Sequence, residues 1–149
     1  VINPGTCPST GIRVPAILLL GQTCAAFGGT TFNFTTEVAN PVATVIATNP
    51  AANATNVTKR APVITATFSE DVQGVTSTTA TIARTGGGVI AATVSYNSTT
   101  HVVTITPAAN LRANTSFTVT LRGGATAIRE ATSPFRPLVT KTWSFTTGA

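Results

Sequence analysis

The residues able to carry acid–base or nucleophilic chemistry are few in this chain. Its acids number four, Glu37, Glu70, Asp71 and Glu130, and His101 is the single histidine. Glu70 and Asp71 are neighbours at the end of a predicted strand, where successive side chains point to opposite faces of a sheet. They therefore cannot readily face each other as a general acid–base pair.

The sequence also lacks the motifs that assemble a nucleophile, a phosphate site or a metal site. His101 has no Gly-x-Ser-x-Gly motif and no second histidine to complete a catalytic triad, so we interpret it as a turn residue. The glycines of "TGGGV" (Thr85–Val89) lack the Lys-Ser/Thr of a phosphate-binding loop and lie between two predicted strands. Calcium would need several convergent oxygens and zinc a cluster of Cys or His, which the sequence does not offer. We therefore predict no enzyme activity, no catalytic residue, no metal and no cofactor.

The composition indicates an all-β protein with a neutral surface rich in hydroxyl groups. The chain is 42% hydrophobic and only 9% charged, whereas about 25% charged is usual. Thr and Val, which favour strands, are abundant, and Leu, Glu, Lys and Met, which favour helices, are scarce. The net charge of +5 comes from scattered basic residues, of which only Lys59 and Arg60 are adjacent. Nucleic-acid binding usually needs a basic stripe with aromatic partners, so we do not expect it.

Strand patterns separated by turn signals run from Val42 to Thr147. "VITATFSEDV" (Val63–Val72) alternates between two faces with period two, as expected for a half-buried strand. The glycines within "TIARTGGGVIAATVSY" (Thr81–Tyr96) mark a hairpin turn, because glycine tolerates positive φ. In all, seven strands are predicted, with the spacing of a β-sandwich. The predicted inner surfaces carry Ile64, Phe68, Val94, Tyr96, Val103, Ile105, Phe117, Val119, Leu121, Trp143 and Phe145.

Several separated motifs resemble, in order and spacing, the bacterial Ig-like domain of S-layer proteins, adhesins and large secreted proteins. They are "VIATNPAANATNV", "ITATFSEDV", "VSYNSTTHVVTITP", "LRANTSFTVTL" and "WSFTT", and together they cover about residues 42–147. The resemblance implies a seven-stranded Ig-like β-sandwich over residues 42–149, preceded by a strand-forming extension over 1–41. It also implies a structural place for Glu70 in "FSE", and core packing for Trp143 in preference to a sugar-stacking role.

The segment 123–140 departs from the family pattern. It is the longest break between predicted strands, and it contains two prolines and two arginines. Surface loops of this kind often carry binding functions. We therefore predict a partner-facing loop with Arg129, Phe135 and Arg136.

Five Asn-x-Ser/Thr sequons occur in this Thr- and Asn-rich chain, and we interpret their asparagines as turn and strand residues. Whether any of them carries a glycan stays open. They are Asn33, Asn53, Asn56, Asn97 and Asn114.

The two cysteines, Cys7 and Cys24, both precede the predicted sandwich. An unstrained disulfide closing a loop of this length contributes roughly 3 kcal/mol. We predict a Cys7–Cys24 bridge and an oxidising compartment, with two buried free thiols as the alternative. The apolar run "VPAILLLG" (Val14–Gly21) is far too short to span a bilayer, so we interpret it as a strand.

The extension 1–41 is too short to bury enough surface to order itself. Leaving its apolar run in water would expose an aggregation-prone patch, so the run is expected to pack on an Ig-like sheet. That sheet belongs to its own sandwich, to a preceding tandem repeat that "FNFTT" (Phe32–Thr36) would close as "WSFTT" does, or to a neighbouring molecule. We favour the neighbour, because such head-to-tail strand addition builds a filament. The predicted assembly-strand residues are Val14, Ile17, Leu18, Leu19, Leu20, Phe32 and Phe34.

The sequence thus predicts a non-enzymatic structural protein of the cell surface, secreted and with any signal peptide already removed. Its expected partners are copies of itself or neighbouring Ig-like domains, with a cell-surface glycan as a further candidate and no membrane span. The alternatives are a tandem-repeat stalk or adhesin module, and an accessory carbohydrate-binding module of a secreted enzyme.

Overall fold

The computed structural model describes residues 42–149 and two short strands before them, β1 (Cys24–Ala25) and β2 (Thr31–Phe32). The chain divides into two units between Pro41 and Val42. In the first unit β1 and β2 pair antiparallel, with Cys24 opposite Phe32. The predictions that fall on Cys7, on Val14–Gly21 and on Phe34 lie outside the described residues, and the Cys7–Cys24 bridge stays a prediction.

The second unit consists of strands joined by turns and loops. Two sheets contain most of them: a front sheet in the order β3-β5-β10-β9 and a back sheet in the order β4-β13-β11-β7-β8, while β6 pairs separately with β12. The strands are β3 (Val45–Asn49), β4 (Ala54–Val57), β5 (Ile64–Phe68), β6 (Val72–Gln73), β7 (Ala80–Arg84), β8 (Val89–Ile90), β9 (Ala92–Asn97), β10 (Val102–Pro107), β11 (Ser116–Leu121), β12 (Arg129–Glu130) and β13 (Lys141–Thr147).

The core lies between the front and back sheets and follows the period-two pattern of the sequence. In β5, β10, β11 and β13 every second side chain is buried, as alternation across a strand requires. The rings of Phe117 and Phe145 stack with centroids 5.8 Å apart, and Phe68 meets Tyr96 edge to face at 5.9 Å. The predicted all-β sandwich and its inward-facing residues are confirmed, with Val94 and Tyr96 half-buried rather than buried.

The chain changes sheets on both sides of the sandwich. β3 belongs to the front sheet and β4, four residues later, to the back sheet, while β8 and β9 make the opposite crossing with only Ala91 between them. The hairpin predicted at the glycines is confirmed, since Gly86 has a φ of 74° and β7 pairs antiparallel with β8. As a result, the four outer strands of the sandwich are β3 and β9 in front and β4 and β8 behind.

Candidate functional site

An ion pair between a buried carboxylate and a partly exposed arginine connects the parts of the loop that the sequence predicts to face a partner. Glu130 on β12 is fully buried, and its Oε1 lies 2.9 Å from a guanidinium nitrogen of Arg136. Its Oε2 accepts hydrogen bonds from the Arg136 Nε at 3.0 Å and backbone N–H at 3.2 Å. The backbone N–H of Ala43 donates to Oε1 at 3.3 Å. The Glu130 carboxylate therefore connects Ala43, near the start of the sandwich, with Arg136, six residues further along the same loop.

The pKa of Glu130 is lowered from its ordinary value. The largest cause is the hydrogen bond from the Arg136 side chain, and the N–H groups of Arg136 and Ala43 act in the same direction. Burial opposes them, because a low-dielectric surrounding disfavours the charged form. Glu130 thus stays ionised as a structural anchor.

The same loop is joined to the sandwich by backbone pairing. Arg129 and Glu130 in β12 lie opposite Gln73 and Val72 in β6, and the Gln73 side chain donates to the Glu130 carbonyl at 3.0 Å. At the other end of the loop, Gly123 lies so close to Leu138 that an added Cβ would sit 1.6 Å from the Leu138 carbonyl oxygen. The loop therefore packs back on its own domain.

The three residues predicted to face a partner have different surroundings. Arg129 donates a hydrogen bond to the Ala125 carbonyl, and its buried Nε has no hydrogen-bond partner. Arg136 holds Glu130, as described. Phe135 is 48% exposed and Val139 78% exposed, and hydroxyl residues of the loop such as Thr132 and Ser133 are exposed as well, whereas both arginines are only partly exposed. Sequence reasoning missed the Glu130–Arg136 pair, although an acid six residues before an arginine in one loop is a weak signal for it.

A second polar cluster connects Tyr96 of β9 with Asp71 and Val72. The Tyr96 hydroxyl donates to Asp71 Oδ1 at 2.7 Å and accepts from the Val72 backbone N–H at 3.0 Å. Burial, with a smaller contribution from Asp71, raises the pKa of Tyr96 to about 12, while the Val72 N–H acts in the opposite direction. Asp71 is thus engaged with Tyr96.

Two further residues that could bind a ligand or take part in catalysis, Trp143 and His101, lie in the core and in a turn, respectively. Trp143 is only 4% exposed and its indole nitrogen donates to the Pro50 carbonyl at 3.0 Å, which confirms core packing. His101 lies in a turn with a φ of 54°. Residues 42–149 and the strands β1 and β2 contain no group of three or more His, Cys, Asp or Glu that could hold a metal ion. A membrane-spanning helix is likewise not found in the part of the chain that the structure describes.

The sequon asparagines of the sandwich are turn and strand residues, as expected. Asn53, Asn56 and Asn114 have φ values of 64°, 57° and 47°, a left-handed conformation that asparagine tolerates better than most residues. Asn97 accepts hydrogen bonds through its side-chain oxygen from the backbone N–H groups of Thr99 and Thr100 at 2.9 and 3.1 Å. Local backbone geometry is therefore sufficient to account for these four residues.

The outer strands differ in how well they could accept another strand. β8 has two residues. β4 contains Asn56 with its left-handed φ of 57° and shifts register against β13, and β3 shifts register between Val45 and Ala47. β9 alone of the four pairs in unbroken register along six residues, from Ala92 opposite Pro107 to Asn97 opposite Val102. We call the side of β9 that faces away from β10 the β9 edge.

The described part of the sandwich surface includes a small and a larger cleft. One, of about 240 Å³, lies between Arg84, Ile90 and Arg112, and the other, of about 480 Å³, lies between the end of β3 and β4. Neither cleft is lined by an acid or a histidine. They offer no general acid or base for a reaction.

A family model described as a bacterial Ig-like domain matches residues 39–147. Among solved structures, the chain is similar to the N-terminal part of the bacterial S-layer protein SbsC, at 15% identity and a TM-score of 0.53. That match covers 72% of this chain and 24% of the S-layer structure, so this chain spans about a quarter of its length. A search of curated proteins found no match.

The proteins CopC and PcoC, the second described as a copper-resistance protein, are also similar in structure. CopC from Methylosinus trichosporium OB3b has 14% identity and a TM-score of 0.52, covering 71% of this chain and 93% of CopC. PcoC, a methionine-rich protein from Escherichia coli, has 18% identity and a TM-score of 0.51, covering 70% of this chain and 97% of PcoC. At these identities the likeness shows a shared fold and nothing about ligands.

Proposed function

Because the chain belongs to the bacterial Ig-like domain family, we propose that it is a non-enzymatic structural module of an extracellular cell-surface assembly. Copies join into filaments through strand addition by the segment that precedes the sandwich. The S-layer protein among the structural neighbours shares this fold, which is compatible with a surface role. The described acids Glu130 and Asp71 are engaged with Arg136 and Tyr96, which fits a structural function.

One observation carries the assembly proposal: the sandwich already contains its closing strand. β13, which includes "WSFTT", pairs with β11 on one side and β4 on the other, so it lies inside the back sheet. The similar phrase "FNFTT" (Phe32–Thr36) is therefore not needed to complete this sheet, and Thr31–Phe32 instead pairs with Cys24–Ala25. The apolar run Val14–Gly21 still requires cover, since exposed runs of this kind aggregate.

A tandem-repeat module is the second candidate. The chain covers only 14% of the structure of SbsC domains 1–6, so a fold of this size occurs there as one part of a longer chain. In that arrangement "FNFTT" would be the last strand of a preceding repeat. A glycan-binding role through Arg129 and Arg136 receives no support from the geometry, because both arginines make contacts within their own loop.

Sedimentation velocity of the full chain tests the assembly proposal. A double variant, Leu18→Asp with Leu20→Asp, introduces two charges into the apolar run, and Ile2→Asp is the matched control outside it. We expect the wild type and the control to sediment as large species and the double variant as a 15.1 kDa monomer. A wild type that is monomeric at all concentrations contradicts assembly and favours the tandem-repeat role.

A further inference from the structure

We propose that the β9 edge is the acceptor in this assembly: residues Ala16–Gly21 of one copy pair, as an added strand, with Ala92–Asn97 of the next copy. This inference rests on the proposed function and identifies the surface that receives the donor segment. The donor precedes the sandwich and the acceptor lies within it, so the two surfaces differ. Such a heterologous contact repeats without closing and gives a filament.

Three of the four outer strands carry features that oppose the addition of a strand. Very short strands, bulges and local twists are the devices by which proteins protect sheet edges. β8 is short, and β3 and β4 are irregular in register. β3 is also followed at once by Pro50, which lacks a backbone N–H. These strands are poor templates for an incoming segment.

β9 has none of these features. Its sequence, ATVSYN, contains no charge, no proline and no glycine, and its register with β10 is continuous. Residues alternate between half-buried and exposed along its whole length, so it is regular up to its last residue. In the described part of the chain its backbone pairs only with β10. Within residues 42–149 no strand occupies the β9 edge, and we assign its backbone groups to the donor strand of another copy.

The donor segment matches this acceptor in length and in chemistry. Residues Ala16–Gly21 (AILLLG) and β9 both comprise six residues, and neither contains a charge. Pro15 immediately precedes the donor, a position at which proline does not interrupt the pairing. In a strand, Ile17 and Leu19 would point to one face and Leu18 and Leu20 to the other. The added strand therefore brings apolar side chains to both faces of the front sheet.

The inner face beside β9 has room to bury one of these rows. Val94 and Tyr96 pack against the core yet remain half-buried, and among the described strands none lies beyond them in the front sheet. In the back sheet, Ile90 of β8 pairs in register with the buried Ile82 of β7 and is itself only half-buried. A strand at the β9 edge would extend the inner layer over these residues and remove their apolar surface from water.

A matched pair of variants separates the β9 edge from the other edge of the front sheet. Val94→Lys and Val45→Lys each replace a half-buried valine of an outer strand with lysine, and inward-pointing charges block strand addition. In sedimentation velocity of the full chain, we expect Val94→Lys to lower the polymer fraction by about tenfold or more and Val45→Lys to leave it unchanged. The reverse result, or no effect of either variant, overturns the β9 assignment while leaving assembly intact. A monomeric wild type overturns assembly itself.

Hydrogen exchange of the unmodified sandwich gives a second readout should Val94→Lys fail to fold. The amides of Ala92–Asn97 that point away from β10, every second one along the strand, should exchange about tenfold more slowly in the wild-type polymer than in the monomeric double variant Leu18→Asp with Leu20→Asp. Amides of β3 should exchange equally in both. Equal exchange at β9 contradicts the proposal. Slow exchange at β9 in a wild type that stays monomeric means that the segment packs on its own sandwich, which also contradicts it.

Discussion

The guanidinium of Arg136 lies 2.9 Å from the fully buried carboxylate of Glu130, and it is the main reason that this carboxylate remains charged. Removing one partner of such a pair leaves an uncompensated charge. We expect Arg136→Met to destabilise the sandwich more than Glu130→Gln, because the first leaves the more deeply buried charge alone. Urea unfolding at neutral pH measures the difference, and Arg122→Met is a control arginine outside the pair. Equal stability of Arg136→Met and wild type contradicts the assigned role.

The lowered pKa of Glu130 also predicts how stability depends on pH. Below the ordinary value of 4.5 the unfolded chain binds a proton that the folded chain does not yet bind. The stabilisation from this group is therefore fully present above about 4.5 and is lost as the pH falls through the lower folded value. We expect the difference in unfolding free energy between the wild type and Glu130→Gln to shrink as the pH falls below about 4.5, as measured by urea unfolding at a series of pH values. A constant difference between the two proteins contradicts the assignment.

Tyr96 is the only tyrosine of the chain, so its ionisation can be followed directly by ultraviolet absorbance. We expect the folded protein to titrate at about 12. Since the pKa of Tyr96 is higher in the folded than in the unfolded chain, the contribution of the protonated hydroxyl to folding stability is complete below the ordinary value of 10.0. That contribution is lost as the pH rises toward 12. Asp71→Asn should lower this pKa but leave it above 10.0, because burial is the larger cause. Glu70→Gln is the control variant. Titration of wild-type Tyr96 near 10.0 would contradict its burial and its hydrogen bond to Asp71.

The close approach of Gly123 to Leu138 predicts a steric effect of a single methyl group. An added Cβ at Gly123 would lie 1.6 Å from a backbone oxygen, which cannot move without shifting the loop. We expect Gly123→Ala to cost about 1–3 kcal/mol of unfolding free energy. Gly88→Ala is the matched control, since no atom lies within 4 Å of its added Cβ. In thermal unfolding, Gly123→Ala should have a clearly lower midpoint temperature than Gly88→Ala. Equal midpoints contradict the close packing of Gly123 on Leu138.

Much of the fold could be predicted from the sequence because it depends on local alternation. The buried residues of β5, β10, β11 and β13 follow directly from period-two patterns, and the turn at Gly86 follows from glycine's tolerance of positive φ. Such signals lie within a few neighbouring residues. They required no knowledge of which strands pair.

The candidate sites could not be predicted in the same way, because they depend on contacts between distant residues. The Glu130 carboxylate meets the Ala43 N–H, 87 positions away along the chain, only after the loop has packed against β6. The place of β9 at the end of the described front sheet depends on the order of its strands, which no local pattern contains. The pairing of Arg136 with Glu130 within its own domain is another contact that no local pattern contains, and the partner-facing role of the loop stays a prediction.

Electron microscopy of the purified full chain tests the central claim of assembly most directly. Negatively stained wild-type protein should form fibres of uniform width, built from repeating units of one sandwich. The double variant Leu18→Asp with Leu20→Asp should give dispersed single particles under the same conditions. Wild-type fields that contain only dispersed particles contradict the claim that this chain builds a filament.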